Sequence, residues 1–185
     1  PYLHLPIQSG SDSILRAMNR RHNADDYLRL VERLRKVRPD LGLSSDFIVG
    51  FPGETNTDFK DTLDIIKEIG FIQSYSFKYS PRPGTPAAML NNQVPEPLKA
   101  ERLSYLQEIL NAQQFKFNKS CVGQTLNVLL DRPGKIPGQL VGRSPYMQAV
   151  HVNGSGLNIG TFVNLKITKG HTYSLAGVAG KGALS

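Results

Sequence analysis

The chain has 185 residues, 39% hydrophobic and 8% aromatic, room for one medium domain or two small ones. Its formal net charge of +7 is uneven: residues 1–115 hold 14 Lys or Arg against 14 Asp or Glu, and residues 116–185 hold 8 against one, Asp131. No apolar run nears the ~20 residues of a membrane span, so no membrane partner is expected, and the single cysteine, Cys121, excludes an internal disulfide and suits a cytoplasmic location.

The chain opens at Pro1 without a signal-peptide pattern, as if cut inside a larger protein. Residues 2–8 alternate around Leu3, Leu5 and Ile7 as a strand does. Gln8-Ser9-Gly10-Ser11 turns into a short helix capped by Ser11 or Asp12. Asn23 caps a longer helix with Tyr27, Leu30, Val31, Leu34 and Val37 at helical spacing, stopped by Pro39. A buried strand at 43–49 ends in Gly50-Phe51-Pro52-Gly53-Glu54-Thr55. Thr57 is placed to cap the next helix, which carries Phe59, Leu63, Ile66 and Ile69 and ends at Gly70. Residues 71–79 alternate again. Strand, helix, strand, helix, strand implies an α/β fold with parallel strands and right-handed crossovers.

A proline-rich loop over 80–97 leads into a long helix at about 97–118, with Leu98, Leu103, Leu106 and Leu110 as its apolar positions. Beyond it the texture changes to short apolar stretches between glycine-rich turns: TLNVLL, GQLVGR, QAVHV, FVNLKI and YSLAGV. Five strands with no helical pattern predict a small OB-like β-barrel. Phe162 reads as one of its core residues. Two domains are therefore expected, 1–115 and 116–181.

Function in parallel α/β folds gathers at the carboxyl ends of the strands. Three such ends place glycine beside hydroxyl or charged groups: 8–11, 50–55 and Tyr79-Ser80-Pro81-Arg82-Pro83-Gly84-Thr85. Glycine lets a ligand approach backbone N–H and C=O groups, hydroxyls and amides can bond a ribose, and an adenine edge can lie along a strand. A nucleotide-like ligand is the expectation. Glu54 has a second reading, as a capping charge at a helix N-terminus. Arg20 is placed to pair with a carboxylate. His4 and His22 stand at no metal spacing, and no metal ligand is expected.

HLPIQSGSDSILRAMNRRH, SSDFIVGFPGET and YSFKYSPRPGTPAA resemble the radical S-adenosylmethionine methylthiotransferases, and GRSPYMQAVHV with YSLAG resembles their carboxy-terminal TRAM domain. The resemblance covers nearly the whole chain. It implies the carboxy-terminal half of a radical SAM α/β barrel followed by a five-stranded TRAM barrel. The reaction it implies adds a methylthio group to C2 of N6-isopentenyladenosine at position 37 of tRNA, beside the anticodon. One S-adenosylmethionine is cleaved reductively by a 4Fe-4S cluster to a 5′-deoxyadenosyl radical, a second supplies the methyl group, and a second 4Fe-4S cluster serves sulfur delivery. On this sequence the resemblance assigns Asp46, Ile48 and Gly50 to the strand along the adenine. Gln8 and Ser9 go to the ribose and methionine portions, and Arg20 to the methionine carboxylate. Glu54 and Ser80 complete the cofactor-binding set, with Arg82 and Thr85 in the last loop. No catalytic residue is assigned.

The family's amino-terminal domain and its CxxxCxxC motif have no counterpart here, and one cysteine cannot replace the three or so thiolates that a 4Fe-4S cluster needs. Such a chain needs the missing amino-terminal half of the same enzyme for activity. Three parallel strands without their neighbours expose an edge, so residues 1–115 alone are expected to aggregate.

The basic last third is read as the RNA-binding part. Arg132, Lys135, Arg143, Lys166 and Lys169 are candidates for phosphate contacts, and Tyr146 and His151 for stacking on an exposed base. Two other functions fit the same residues: a sister methylthiotransferase acting on threonylcarbamoyladenosine or a ribosomal protein, and an RNA-binding adaptor without chemistry.

Overall fold

The computed structural model describes residues 1–180. It divides into two compact units, Leu3–Asn111, and Ala112 onward together with Pro1–Tyr2. The division falls inside one long helix, about a turn before the boundary expected at 115/116. Lys181, the end of the expected second domain, lies outside the described residues.

The first unit is built on a three-stranded parallel sheet in the order β1 (Tyr2–His4), β2 (Gly42–Val49), β3 (Gln73–Lys78). The strand expected over 2–8 is interrupted: regular pairing stops at His4 and resumes as a bridge from Gln8 to Phe47. Pro6 lies between them and has no N–H for a ladder. Gln8 then donates to the Asp46 carbonyl at 2.9 Å and accepts from the Ile48 amide at 2.9 Å, which fixes the first loop to the end of β2.

Helices α1 (Asp12–Ala17), α2 (Ala24–Val37) and α3 (Asn56–Ile69) follow the crossover order, and α4 (Glu96–Ser120) comes last. Ser11 caps α1, and Asn23 caps α2 in a capping box with Asp26. The cap of α3 is Thr55, not Thr57, and Asp58 completes its box. The helix starts two residues earlier than its apolar spacing suggests, because Thr55 and Asp58 supply the reciprocal bonds. Gly70 closes it at φ 68°. On α2 the buried residues are Tyr27 and Val31, whereas Leu30 and Val37 are exposed. The covered stripe is narrower than five apolar side chains. Phe47, Leu43, Val49, Ile66, Phe71 and Leu106 fill the core between sheet and helices.

Asp58 is the node of this unit. Its Oδ1 accepts from the Ser11 hydroxyl at 2.5 Å and the Ser13 hydroxyl at 2.6 Å, and its Oδ2 from the Thr55 hydroxyl at 2.6 Å and amide at 2.9 Å. It thereby joins the start of α1 to the start of α3. Partial burial pushes its carboxyl upward, but these donors outweigh that and hold it well below the usual carboxylate range.

The second unit is a closed barrel in the order β4 (Thr125–Pro133), β5 (Gln139–Arg143), β6 (Ala149–Asn153), β8 (Ser174–Ala179), β7 (Phe162–Gly170). All neighbours are antiparallel except β6 and β8. Val128, Leu130, Val150, Leu165, Ile167 and Leu175 point inward. Phe162 points outward and is 68% exposed, contrary to the core position expected of it. It is opposite Leu129, one step out of phase with inward Val128 and Val163. Asn118 closes one end of the barrel by donating to the carbonyls of His171 at 2.7 Å and Thr172 at 3.0 Å, and it accepts from Gln148 at 2.7 Å.

Asp58 carries a pH dependence of known sign. A carboxyl whose folded pKa is depressed stabilises the fold above its unfolded value, near 3.9, and loses that contribution as the pH falls below it. Asp58→Asn is expected to be less stable than the native chain at pH 7, with the difference shrinking below about pH 4. Urea unfolding across pH checks it: a difference independent of pH contradicts the assignment.

Candidate functional site

The carboxyl ends of β1, β2 and β3 surround a cleft of about 810 Å³, within the usual range for small-molecule sites. Ile48, Phe51 and Phe77 form its apolar wall, and Gln8, Arg20, Ser80, Arg82 and Thr85 its polar rim. The lining includes Arg20, Lys78 and Arg82 and no carboxylate. Lys78 is paired with Glu96. The arginines make the mouth receptive to an anionic group.

Two features mark the cleft as more than a gap between loops. Gln8 at φ 79° and Asn19 at φ 57° both line it, and they are two of the three non-glycine residues with positive φ among those described. Each costs about 1–2 kcal/mol against an ordinary conformation, and such outliers gather where a site fixes the backbone. Tyr79 also lines the cleft, and its hydroxyl is buried with no hydrogen-bond partner among the described residues. Its ring is held edge-on to Phe51 with centroids 5.1 Å apart.

Of the residues expected to bind a cofactor, Gln8, Arg20, Ile48 and Ser80 meet in this cleft, together with Arg82 and Thr85. Ser9, Asp46, Gly50 and Glu54 are not part of its lining. Ser9 is fully buried with its hydroxyl 3.2 Å from that of Thr62. Asp46 faces His4 at 3.5 Å, whose other ring nitrogen is 2.8 Å from the Ser44 hydroxyl.

Glu54 neither caps α3 nor faces the cleft. Its Oε1 accepts from the Gly50 amide at 2.9 Å and from Arg102 of α4 at 2.7 Å. Both side chains are buried, at 2% and 4% exposure. Burial pushes the Glu54 carboxyl up, against the pull of the Gly50 amide and the guanidinium. Arg102 also donates to the Glu54 carbonyl at 3.1 Å and to Asn56 at 2.7 Å. Gly50 takes φ 70°, and a Cβ there would lie 2.4 Å from the Lys99 side chain. The glycine-rich turn after β2 is thus shaped by α4, and Phe51 is the residue it delivers to the cleft. Phe51, Phe77 and Tyr79 escape a sequence reading because aromatic residues at strand ends look like core.

The same positions can be compared with known proteins. Residues 1–66 match the Radical SAM superfamily, and residues 119–179 match the TRAM domain. The chain thus joins a segment similar to part of the radical SAM superfamily to one similar to the TRAM domain. It is 54% identical over 178 residues to the tRNA-2-methylthio-N(6)-dimethylallyladenosine synthase of Rickettsia canadensis (strain McKiel), an alignment covering 96% of this chain and 40% of that protein. The chain therefore spans about two fifths of the length of the curated relative it matches. Three of those four cleft residues, Gln8, Arg20 and Ile48, fall inside the radical SAM match, and Ser80 lies beyond it.

In the TRAM domain, Arg132, Lys135, Lys166 and Lys169 are exposed and Arg143 is half-buried. Asp131 accepts from Arg132 at 2.7 Å and lies 3.3 Å from Arg143. Tyr146 is half-buried with its ring edge-on to Phe117 at 5.1 Å. His151 is held below the usual imidazole range by burial and by the charges of Arg132, His171 and Lys135. Cys121 is buried, which pushes its thiol up, and its sulfur lies 3.6 Å from Gln148. No group of three metal-binding side chains occurs among the described residues.

Removing the Glu54 carboxylate leaves Arg102 buried without its charge partner. Glu54→Ala is expected to lower stability by about 3–5 kcal/mol, read by urea unfolding. A loss below about 1 kcal/mol would place the pair among ordinary surface contacts.

Proposed function

We propose that this chain is the carboxy-terminal part of a tRNA methylthiotransferase that modifies C2 of N6-isopentenyladenosine at position 37. The observation that carries the reading is the cleft: three strand ends, the first two inside the radical SAM match, converge on a space with an apolar wall, an arginine rim and Tyr79, whose buried hydroxyl has no hydrogen-bond partner among the described residues. The similarity to a tRNA-2-methylthio-N(6)-dimethylallyladenosine synthase along 96% of the chain supports the substrate. The single cysteine supports a cytoplasmic setting.

S-adenosylmethionine fits the residues present. The apolar wall of Ile48, Phe51 and Phe77 suits an adenine face, Gln8 and Ser80 offer partners to ribose hydroxyls, and Arg20 suits the methionine carboxylate. When bound, the group supplies a carbon radical and a methyl donor. The chain's own residues bind and orient it: the aromatic wall excludes water, Tyr79 offers a fixed donor, and the Gln8 backbone holds the first loop against β2. Iron–sulfur clusters do not fit. One buried cysteine in the TRAM domain cannot supply their thiolates, so cluster ligands come from sequence outside this chain.

Binding of S-adenosylmethionine to the full chain tests the cleft. Ile48→Glu, which sets a carboxylate in the apolar wall, is expected to weaken it at least about tenfold, a difference of about 1.4 kcal/mol. Undiminished binding contradicts the site. Substrate is tested in cells: deleting the coding region from its host is expected to leave N6-isopentenyladenosine without its 2-methylthio group in digested tRNA. Loss of methylthio from threonylcarbamoyladenosine would point to the sister enzyme, and unchanged nucleosides would contradict both.

A further inference from the structure

The cleft at the strand ends carries more positive charge than S-adenosylmethionine can use. Arg20 and Arg82 both line it, no carboxylate does, and neither arginine has an ion pair among the described residues. The third cation of the lining, Lys78, is neutralised by Glu96. S-adenosylmethionine offers one carboxylate, set against its own ammonium and sulfonium, so it is a net cation. One arginine answers that carboxylate. The other faces a cationic ligand with nothing to balance it, and like charges repel more strongly in a cleft than in bulk water. The two arginines also come from opposite edges of the sheet. Arg20 follows β1 and α1, Arg82 follows β3, and β2 stands between those strands.

The local sequence holds Arg82 in place. It stands in Pro81-Arg82-Pro83-Gly84-Thr85, and Pro83 biases it to extended backbone. Gly84 follows at φ 81°, and the Thr85 amide donates to the Arg82 carbonyl at 3.1 Å. Proline second, a left-handed glycine third and that closing bond are the marks of a type II turn. The Thr85 hydroxyl donates to the same carbonyl at 2.8 Å. The rest of the loop is tied down as well. The Gly53 amide donates to the Asn92 carbonyl at 2.9 Å, and the Gln93 side chain donates to the carbonyls of Ala87 and Leu90, each at 2.9 Å. An exposed guanidinium is thus presented from a preset backbone, and less conformational entropy is lost when it takes a ligand.

The anion that suits a guanidinium fork and a nucleoside-sized cleft is a phosphate, whose oxygens accept two parallel N–H bonds. The cleft also has room beside a first ligand. Its volume of about 810 Å³ lies in the upper part of the usual range, and Phe77 in its wall is 54% exposed, apolar surface that a second ring can cover.

We propose that Arg82 determines specificity by binding a phosphate of the nucleotide that is modified, while Arg20 takes the S-adenosylmethionine carboxylate. The proposal rests on the reading of the cleft given above and adds a second subsite to it. That subsite makes the cleft prefer a nucleotide to the bare nucleoside, and the phosphate balances the charge that S-adenosylmethionine leaves over.

The test titrates the full chain by calorimetry with three separate probes: S-adenosylmethionine, N6-isopentenyladenosine and N6-isopentenyladenosine 5′-monophosphate. The native chain is expected to bind the monophosphate at least about tenfold more tightly than the nucleoside. Arg82→Gln is expected to bring the two within about twofold of each other, with the affinities for nucleoside and S-adenosylmethionine and the urea midpoint unchanged. Arg82→Lys, which keeps the charge and loses the fork, is expected to retain part of the preference. Arg20→Gln is expected to do the reverse, weakening S-adenosylmethionine and keeping the preference. A native chain without the preference, or an Arg82→Gln variant that keeps it, overturns the subsite and leaves the cleft in place. An Arg82→Gln variant that loses S-adenosylmethionine binding makes Arg82 the carboxylate partner and overturns it too. A native chain that binds none of the three probes overturns the reading of the cleft itself.

Discussion

A buried ion pair, Glu54 with Arg102, is the constraint on which the first unit depends. Taking two charges out of water is costly, and their attraction offsets the cost only when geometry and further hydrogen bonds are good. Here they are: one carboxylate oxygen meets both the Gly50 amide and the guanidinium, and the guanidinium reaches the Glu54 carbonyl and Asn56. An apolar pair of similar volume could match it in stability. It could not supply the acceptor that turns the Gly50 amide, or the donors that hold the start of α3.

The cleft inherits its shape from that clamp. Lys99, one turn before Arg102, packs on Gly50, donates to the Tyr79 carbonyl at 3.3 Å and lies 5.5 Å from the Tyr79 ring. Helix α4 therefore grips the ends of β2 and β3 together. On the other side, the Gln8 backbone and the hydroxyl cluster around Asp58 secure the first loop. The strained residues Gln8 and Asn19 lie between these fixed points, where surrounding structure can hold a conformation that the local chain disfavours.

Much of this was legible in the sequence and some was not, for physical reasons. Period-two and period-3.6 patterns reveal β2, β3, α2 and α3, and Asn23, Ser11 and Gly70 mark helix ends, because those signals are local. The five-strand barrel was readable from short apolar runs between glycine turns. Its phase was not: Phe162 alternates correctly but one step from the core, and the register shifts between Leu130 and Arg132 and between Ile167 and Lys169 leave no trace in composition. Glu54 looked like a ligand or a cap because its partner stands 48 positions away. Lys99 and Arg102 carry no local signal of burial, because they stand on a helix whose leucines already supply an apolar face. Gln8, Arg20, Ile48 and Ser80 were readable as a site because the order of three loops, rather than any one of them, specifies where they meet.

The clamp's role can be measured residue by residue through amide hydrogen exchange in the native chain and in Arg102→Met, which keeps the buried volume and removes the charge. If α4 shapes the turn, the amides of Gly50, Phe51 and Gly53 exchange much faster in the variant, while those of α2 and of the barrel strands keep their native protection. Equal protection of residues 50–53 in both proteins would mean that the turn holds its form unaided, and the link from ion pair to cleft would be lost.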